Sequence, residues 1–134
     1  MKKRIIVLLL AALMLLAAIA CGKQALPKEG TYTIGVTLTG GTGKAKIQSP
    51  AELTVFQDGT ATLIVIWSSD KYDYMLVDGE RYEPAIRDGH SIFAIPVKSI
   101  QTPLSVIADT TAMSTPHEVE YTITFDAASL APAS

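Results

Sequence analysis

The chain is poor in the residues that carry most enzyme and metal chemistry. It has one cysteine and two histidines among 134 residues. A lone cysteine cannot form an internal disulfide. The sequence also lacks the G-x-S-x-G, H-E-x-x-H and C-x-x-C patterns and the glycine pattern of dinucleotide-binding loops. It therefore predicts a protein that is not an enzyme.

Positive charge is scarce beyond the N-terminus. Lys2, Lys3 and Arg4 precede sixteen uncharged, largely apolar residues over 5–20. This pattern is typical of a secretory signal peptide over residues 1–20, since a membrane-spanning helix needs about 20 apolar residues. Removal of the signal peptide takes the formal net charge from −2 to −5. That balance excludes nucleic acid as a partner.

The only cysteine, Cys21, directly follows Ala18 and two further small or apolar residues. The arrangement resembles the lipobox of bacterial lipoproteins, although Ala18 stands where leucine is usual. The resemblance implies that Cys21 is lipidated and becomes the first mature residue. Two acyl chains anchor a protein stably in a membrane. We therefore expect the lipidated Cys21 to anchor the chain to the outer face of the bacterial cell membrane. Residues 21–30 are then the lipidated cysteine and its tether.

Alternation of apolar and polar residues dominates the rest of the chain. TYTIGVTLT and HEVEYTITF are the cleanest examples, and Asp-Gly pairs at 58–59, 78–79 and 88–89 mark turns. Turn signals recur about every 8 to 12 residues, as in antiparallel sandwiches. The sequence predicts an all-β, immunoglobulin-like antiparallel β-sandwich of about 7–9 strands over 31–126. A flexible tail is expected over 127–134.

Aromatic residues cluster in IWSSDKYDYMLVDGERY, which holds four of the nine in the chain. Strict alternation would place Tyr72, Tyr74 and Leu76 on one face of a strand and Met75 on the other. One interpretation is a core in which tyrosine hydroxyls reach water at the rim. Another is a pocket with aromatic walls for a planar ligand such as heme, whose iron accepts His, Met or Tyr. The candidate ligand-binding residues are Trp67, Tyr72, Tyr74, Met75, Met113, His117 and Tyr121.

Met113 and His117 flank a proline at the start of the last predicted strand. Alternation places His117 at the end of the core-facing side and Met113 in the preceding loop. With Met75, they are candidate metal ligands, either for heme iron or for copper(I). The alternative is a loop in which a methionine closes the end of the sandwich.

Two segments, VIWSSDKYDYMLVDGERYEP and ADTTAMSTPHEVEYTITFD, resemble a small β-rich domain of bacterial surface lipoproteins. Such domains accompany ABC-type iron or heme uptake components. A wider analogy is with heme carriers of the Gram-positive cell surface, whose immunoglobulin-like sandwiches hold heme with Tyr or Met. Their Tyr-x-x-x-Tyr strand is altered here, because Phe125 follows Tyr121 at that spacing. The resemblance implies Met75, Met113 or His117 as substitutes.

The sequence thus predicts a lipid-anchored surface protein of iron or heme acquisition that holds its ligand at one end of a sandwich. Its expected partners are the membrane and an ABC-transporter component or surface protein. Two alternatives stay open. One is an envelope interaction module with no small ligand, and the other is a copper-binding lipoprotein.

Overall fold

Segments in which apolar and polar residues alternate form β-strands in the part of the chain that the structure describes. The structure is a computed structural model that describes residues 24–112 and 117–133. The predicted signal peptide, Cys21 and Met113 lie outside these ranges. Within them, no helix is long and apolar enough to cross a membrane. The strands are β1 (Gly30–Gly40), β2 (Ala51–Val55), β3 (Ala61–Ile66), β4 (Tyr72–Val77), β5 (Glu80–Tyr82), β6 (Ala85–Arg87), β7 (His90–Pro96), β8 (Leu104–Thr110) and β9 (His117–Pro132).

All pairings between these strands are antiparallel, in the order β5-β4-β8-β9-β1-β2-β3-β7-β6. β1 joins the two layers of the sandwich. Its first half pairs with β2, which belongs to the layer β2-β3-β7-β6, and most of its length pairs with β9, which belongs to the layer β5-β4-β8-β9. The register of β1 against β9 shifts between Thr33 and Gly35, and such a bulge bends a strand. The described nine-stranded sheet confirms the predicted all-β antiparallel sandwich.

Side chains that point between the two layers form one apolar core. Its most deeply buried members come from strands of both layers, as expected when one face of each strand is apolar. Gly40, the last residue of β1, lies against the backbone of β9. A Cβ atom at this position would lie 2.5 Å from the Glu120 carbonyl oxygen. The largest fully buried side chains are Trp67, Phe93, Ile34, Leu53, Leu63, Met75, Ile95 and Ile123.

The first and the last described segments of the chain both pack on the domain, whereas the sequence predicts a tether and a flexible tail. The segment predicted as a flexible tail instead continues β9, and Pro132 pairs with Tyr32 of β1. At a bulge in this pairing, the Ser129 hydroxyl accepts a hydrogen bond from the Gly35 N–H at 2.7 Å. The described part of the predicted tether is also docked, because Leu26 packs against the core.

The strand registers define two ends of the sandwich. At the N-terminal end, Gly30 pairs with Val55, which also pairs with Ala61, and the Val97 N–H donates to the Ala61 carbonyl. At the distal end, Gly40 of β1 pairs with β9, and Thr110 of β8 pairs with the first residue of β9. These two ends give the candidate site its position.

Candidate functional site

A bulge in β4 decides which aromatic residues face outward. Tyr72 pairs with Thr110 and Tyr74 pairs with the adjacent Asp109, so Asp73 is an extra residue in the ladder. Tyr72 and Met75 are therefore both buried, whereas Tyr74 is half-buried on the outer face. The prediction that Tyr72 and Tyr74 share a face was wrong, because strict alternation does not continue through a bulge.

Three of the predicted ligand-binding residues pack on one another in the core. Tyr72 stacks on Trp67 with ring centroids 4.0 Å apart, and Tyr121 meets Trp67 edge-on at 5.3 Å. Trp67 is fully buried, and its indole N–H finds no acceptor in the described part of the chain. Burial, followed by the effect of Tyr121, raises the pKa of Tyr72 to about 12. We call Trp67, Tyr72 and Tyr121 the aromatic cluster; it fills the core near the distal end.

The structure describes two of the three predicted metal ligands, Met75 and His117, and does not bring them together. Met75 is fully buried in the core, where it pairs across the strands with Tyr82. By alternation His117 is on the same face of β9 as the buried Tyr121, but it is exposed because it lies at the start of the strand, beyond the end of the packed core. Met113 lies outside the described residues. Within 24–112 and 117–133, no three His, Cys, Asp or Glu side chains are placed to hold a metal ion.

The outward Tyr74 is instead the centre of a polar group on the outer face of β4, β8 and β9. Its phenol donates a hydrogen bond to the Glu118 carboxylate. The Arg81 guanidinium lies over its ring, 4.0 Å from the centroid, a favourable cation–π geometry. The hydrogen bond to Glu118 is the main reason that the pKa of Tyr74 rises to about 12. Tyr74 is therefore protonated at neutral pH.

Asp109 lies between Tyr74 and Glu118 in the strand ladder and is only 3% exposed. One of its carboxyl oxygens has no hydrogen-bond partner among the described residues. Loss of hydration raises the pKa of Asp109 to about 6, and the neighbouring carboxyl of Asp73 adds to the rise. Arg81 opposes it. A buried carboxyl that holds its proton so readily makes the fold less stable when it ionises.

We predict that Asp109→Asn stabilises the fold at neutral pH. A folded-state pKa above the unfolded value means that wild-type stability falls as pH rises from about 4 through about 6. The amide cannot ionise, so the variant should lose this dependence and gain about 1 kcal/mol in free energy of unfolding at pH 7.5. At pH 3.5 little gain is expected. Urea unfolding at both pH values measures this difference.

Asp126→Asn, at an exposed position of β9, is the matched control: because it keeps Asp109, it should keep the wild-type pH dependence and show no gain in stability at pH 7.5. A loss of stability at both pH values in Asp109→Asn would contradict this account of the buried carboxyl.

A groove of about 570 Å³ lies beside this polar group on the outer face. Leu76 and Ile107, paired across β4 and β8, are among its half-buried lining residues. Thr39, Glu120 and Thr122 also line it. Tyr74 is the next outward residue along β4 from Leu76. The outer face thus combines apolar side chains, a phenol and a nearby guanidinium.

Arg81, Asp109 and Glu118 were not among the residues singled out from the sequence. Alternation in HEVEYTITF does place Glu118 outward. The pairing of β4 with β8, which brings Asp109 beside Tyr74, has no local sequence signal.

Comparisons with solved structures show that this fold is similar to that of NEAT domains. No family model matches the chain, and no curated protein matches it significantly. Among solved structures, the NEAT5 domain of IsdX2, a B. anthracis hemophore, in complex with heme, matches with a TM-score of 0.59 at 18% identity, covering 74% of this chain and 97% of that chain. A point mutant of the same domain, in complex with heme, matches with a TM-score of 0.60 at 18% identity, covering 75% and 97%. At this identity the likeness is one of fold, and it confirms the immunoglobulin-like class.

Proposed function

We propose that this chain is a heme-binding domain of a lipid-anchored surface protein that acts in iron or heme acquisition. The observation that carries the proposal is the likeness to one heme-complexed domain and its point mutant over 97% of their length. Cys21 is the proposed lipid attachment site and the outer face of the cell membrane the proposed location. The proposed partner is an ABC-type uptake component that receives the heme.

The outer face of β4, β8 and β9 is the proposed binding surface. A porphyrin needs a flat apolar contact, and ligand sites generally combine apolar walls with a few placed polar groups. Leu76 and Ile107 supply apolar surface in the groove. Arg81, beside Leu76 in the ladder, supplies a cation for a propionate carboxylate. Trp67 and Tyr72 of the aromatic cluster support this surface from inside the core, whereas Tyr121 is also among the residues that line the groove.

Tyr74 is the residue that would hold the heme iron. Tyrosine is an established ligand of heme iron, and the Tyr74 hydroxyl stands on the same face as the groove. Glu118 holds the phenol hydrogen bond, so it is positioned to accept the proton that Tyr74 must release. Arg81 over the ring favours the resulting negative charge. This assignment replaces Met75, which is buried on the other face of β4, and His117, which by alternation points to the other face of β9 from Glu118.

Hemin titration of the purified protein tests the proposal. We expect a Soret band that shifts from the position of free hemin and saturates at one heme per chain, with Tyr72→Phe as a matched variant that binds equally well. An unshifted band at micromolar protein and hemin, with the fold intact by circular dichroism, would refute heme binding. The interaction module with no small ligand would then be favoured.

A further inference from the structure

The segment that enters the domain is attached to the N-terminal end of the sandwich. The Ala25 carbonyl accepts a hydrogen bond from the Ile100 N–H at 2.8 Å. Leu26 packs against the core, and the Lys28 carbonyl accepts a hydrogen bond from the Tyr32 hydroxyl at 2.8 Å. From about residue 25 onward, the chain follows the surface of the domain.

Very little chain therefore separates the proposed lipid from the packed domain. Four residue steps join Cys21 to Ala25. A fully extended chain spans at most about 3.6 Å per residue, so these two residues are at most about 14 Å apart. This step rests on the proposed lipidation of Cys21. If Cys21 carries acyl chains, the N-terminal end of the sandwich lies close to the bilayer surface.

An exposed aromatic side chain stands at the same end. Phe56 is 46% exposed, in the turn between β2 and β3. The turn is closed by hydrogen bonds from the Phe56 N–H to the Thr60 carbonyl and from the Gly59 N–H to the Phe56 carbonyl, at 2.8 and 3.0 Å. Phe56 and Glu29, just before β1, line one shallow depression. An apolar ring on a short rigid turn is suited to the boundary between headgroups and acyl chains.

We propose that the N-terminal end of the sandwich rests on the lipid surface, with the Phe56 turn in contact with it. Tyr74 and its neighbours, near the distal end, then point away from the bilayer. In this orientation the outer face is open to heme and to a protein partner while the chain stays anchored.

Tryptophan quenching by brominated lipid tests this orientation. The full-length gene is expressed in a bacterial host, and the membrane-bound product is reconstituted in phosphatidylcholine vesicles brominated near the headgroup. Trp67 is fully buried and supplies a constant background. In Phe56→Trp, we expect the added emission to fall by about twofold or more on bromination, since the side chain reaches the headgroup boundary. In Thr42→Trp, at the exposed turn after β1 of the distal end, we expect no loss.

Two controls separate this inference from the function on which it rests. Wild type and Cys21→Ala are compared by membrane fractionation, and hemin binding is measured on both. If Cys21→Ala stays in the membrane fraction, the lipid anchor and the orientation both fail, whereas heme binding stands or falls by its own titration. If Cys21→Ala becomes soluble but the two tryptophans are quenched equally, or Thr42→Trp more strongly, only the orientation is overturned.

Discussion

Replacing Trp67 with alanine should lower the free energy of unfolding by about 3–5 kcal/mol. Trp67 is fully buried, stacks on Tyr72 and meets Tyr121 edge-on. Removal of the indole leaves a cavity and ends both aromatic contacts. A domain of this size is typically stable by about 5–15 kcal/mol, so the loss is a large fraction of the total. Urea unfolding followed by circular dichroism measures it.

Trp67→Phe separates packing from polarity at this position. It keeps an aromatic ring in the aromatic cluster and removes an indole N–H that has no acceptor among the described residues. A buried unpaired donor costs about 1–3 kcal/mol, which offsets part of the lost volume. We expect a clearly smaller loss than in Trp67→Ala. Phe56→Ala, at an exposed turn, should change stability by less than about 0.5 kcal/mol. Equal losses in Trp67→Ala and Phe56→Ala would contradict the burial of Trp67.

Tyr74→Phe should weaken hemin binding by about tenfold or more, because it removes the proposed iron ligand. The variant keeps the ring over which Arg81 lies, so the fold should persist. Any residual complex should lack the charge-transfer absorption of a tyrosine bound to ferric iron. Hemin titration and the visible spectrum of the complex measure the two effects.

Tyr72→Phe is the matched control for Tyr74→Phe, because it deletes the same hydroxyl two residues away but inside the core. It should bind hemin as the wild type does. If Tyr74→Phe binds equally well with an unchanged spectrum, another residue holds the iron and the outer-face site is wrong. If Tyr72→Phe alone weakens binding, the ligand enters the core side instead.

Local patterns in the sequence predicted the strands well. In β9, Tyr121, Ile123 and Phe125 are buried as the alternation requires, and the Asp-Gly pairs lie at turns. The same patterns failed at Tyr72, where one extra residue in the ladder reverses the faces that follow. They also failed at residues 127–132, where all side chains except Leu130 are small and no apolar period appears, although the segment extends β9.

By itself, the sequence determined the all-β class, the faces of the regular strands and the resemblance of the N-terminus to a lipoprotein signal. These features depend on neighbours a few residues apart, which a linear pattern records. Only the tertiary structure decided that Tyr74 meets Glu118 and Arg81, that Met75 is buried, and that the entering segment packs on the β7–β8 connection. Those contacts join residues distant in the chain, and their geometry depends on strand order and on a bulge, neither of which alternation specifies.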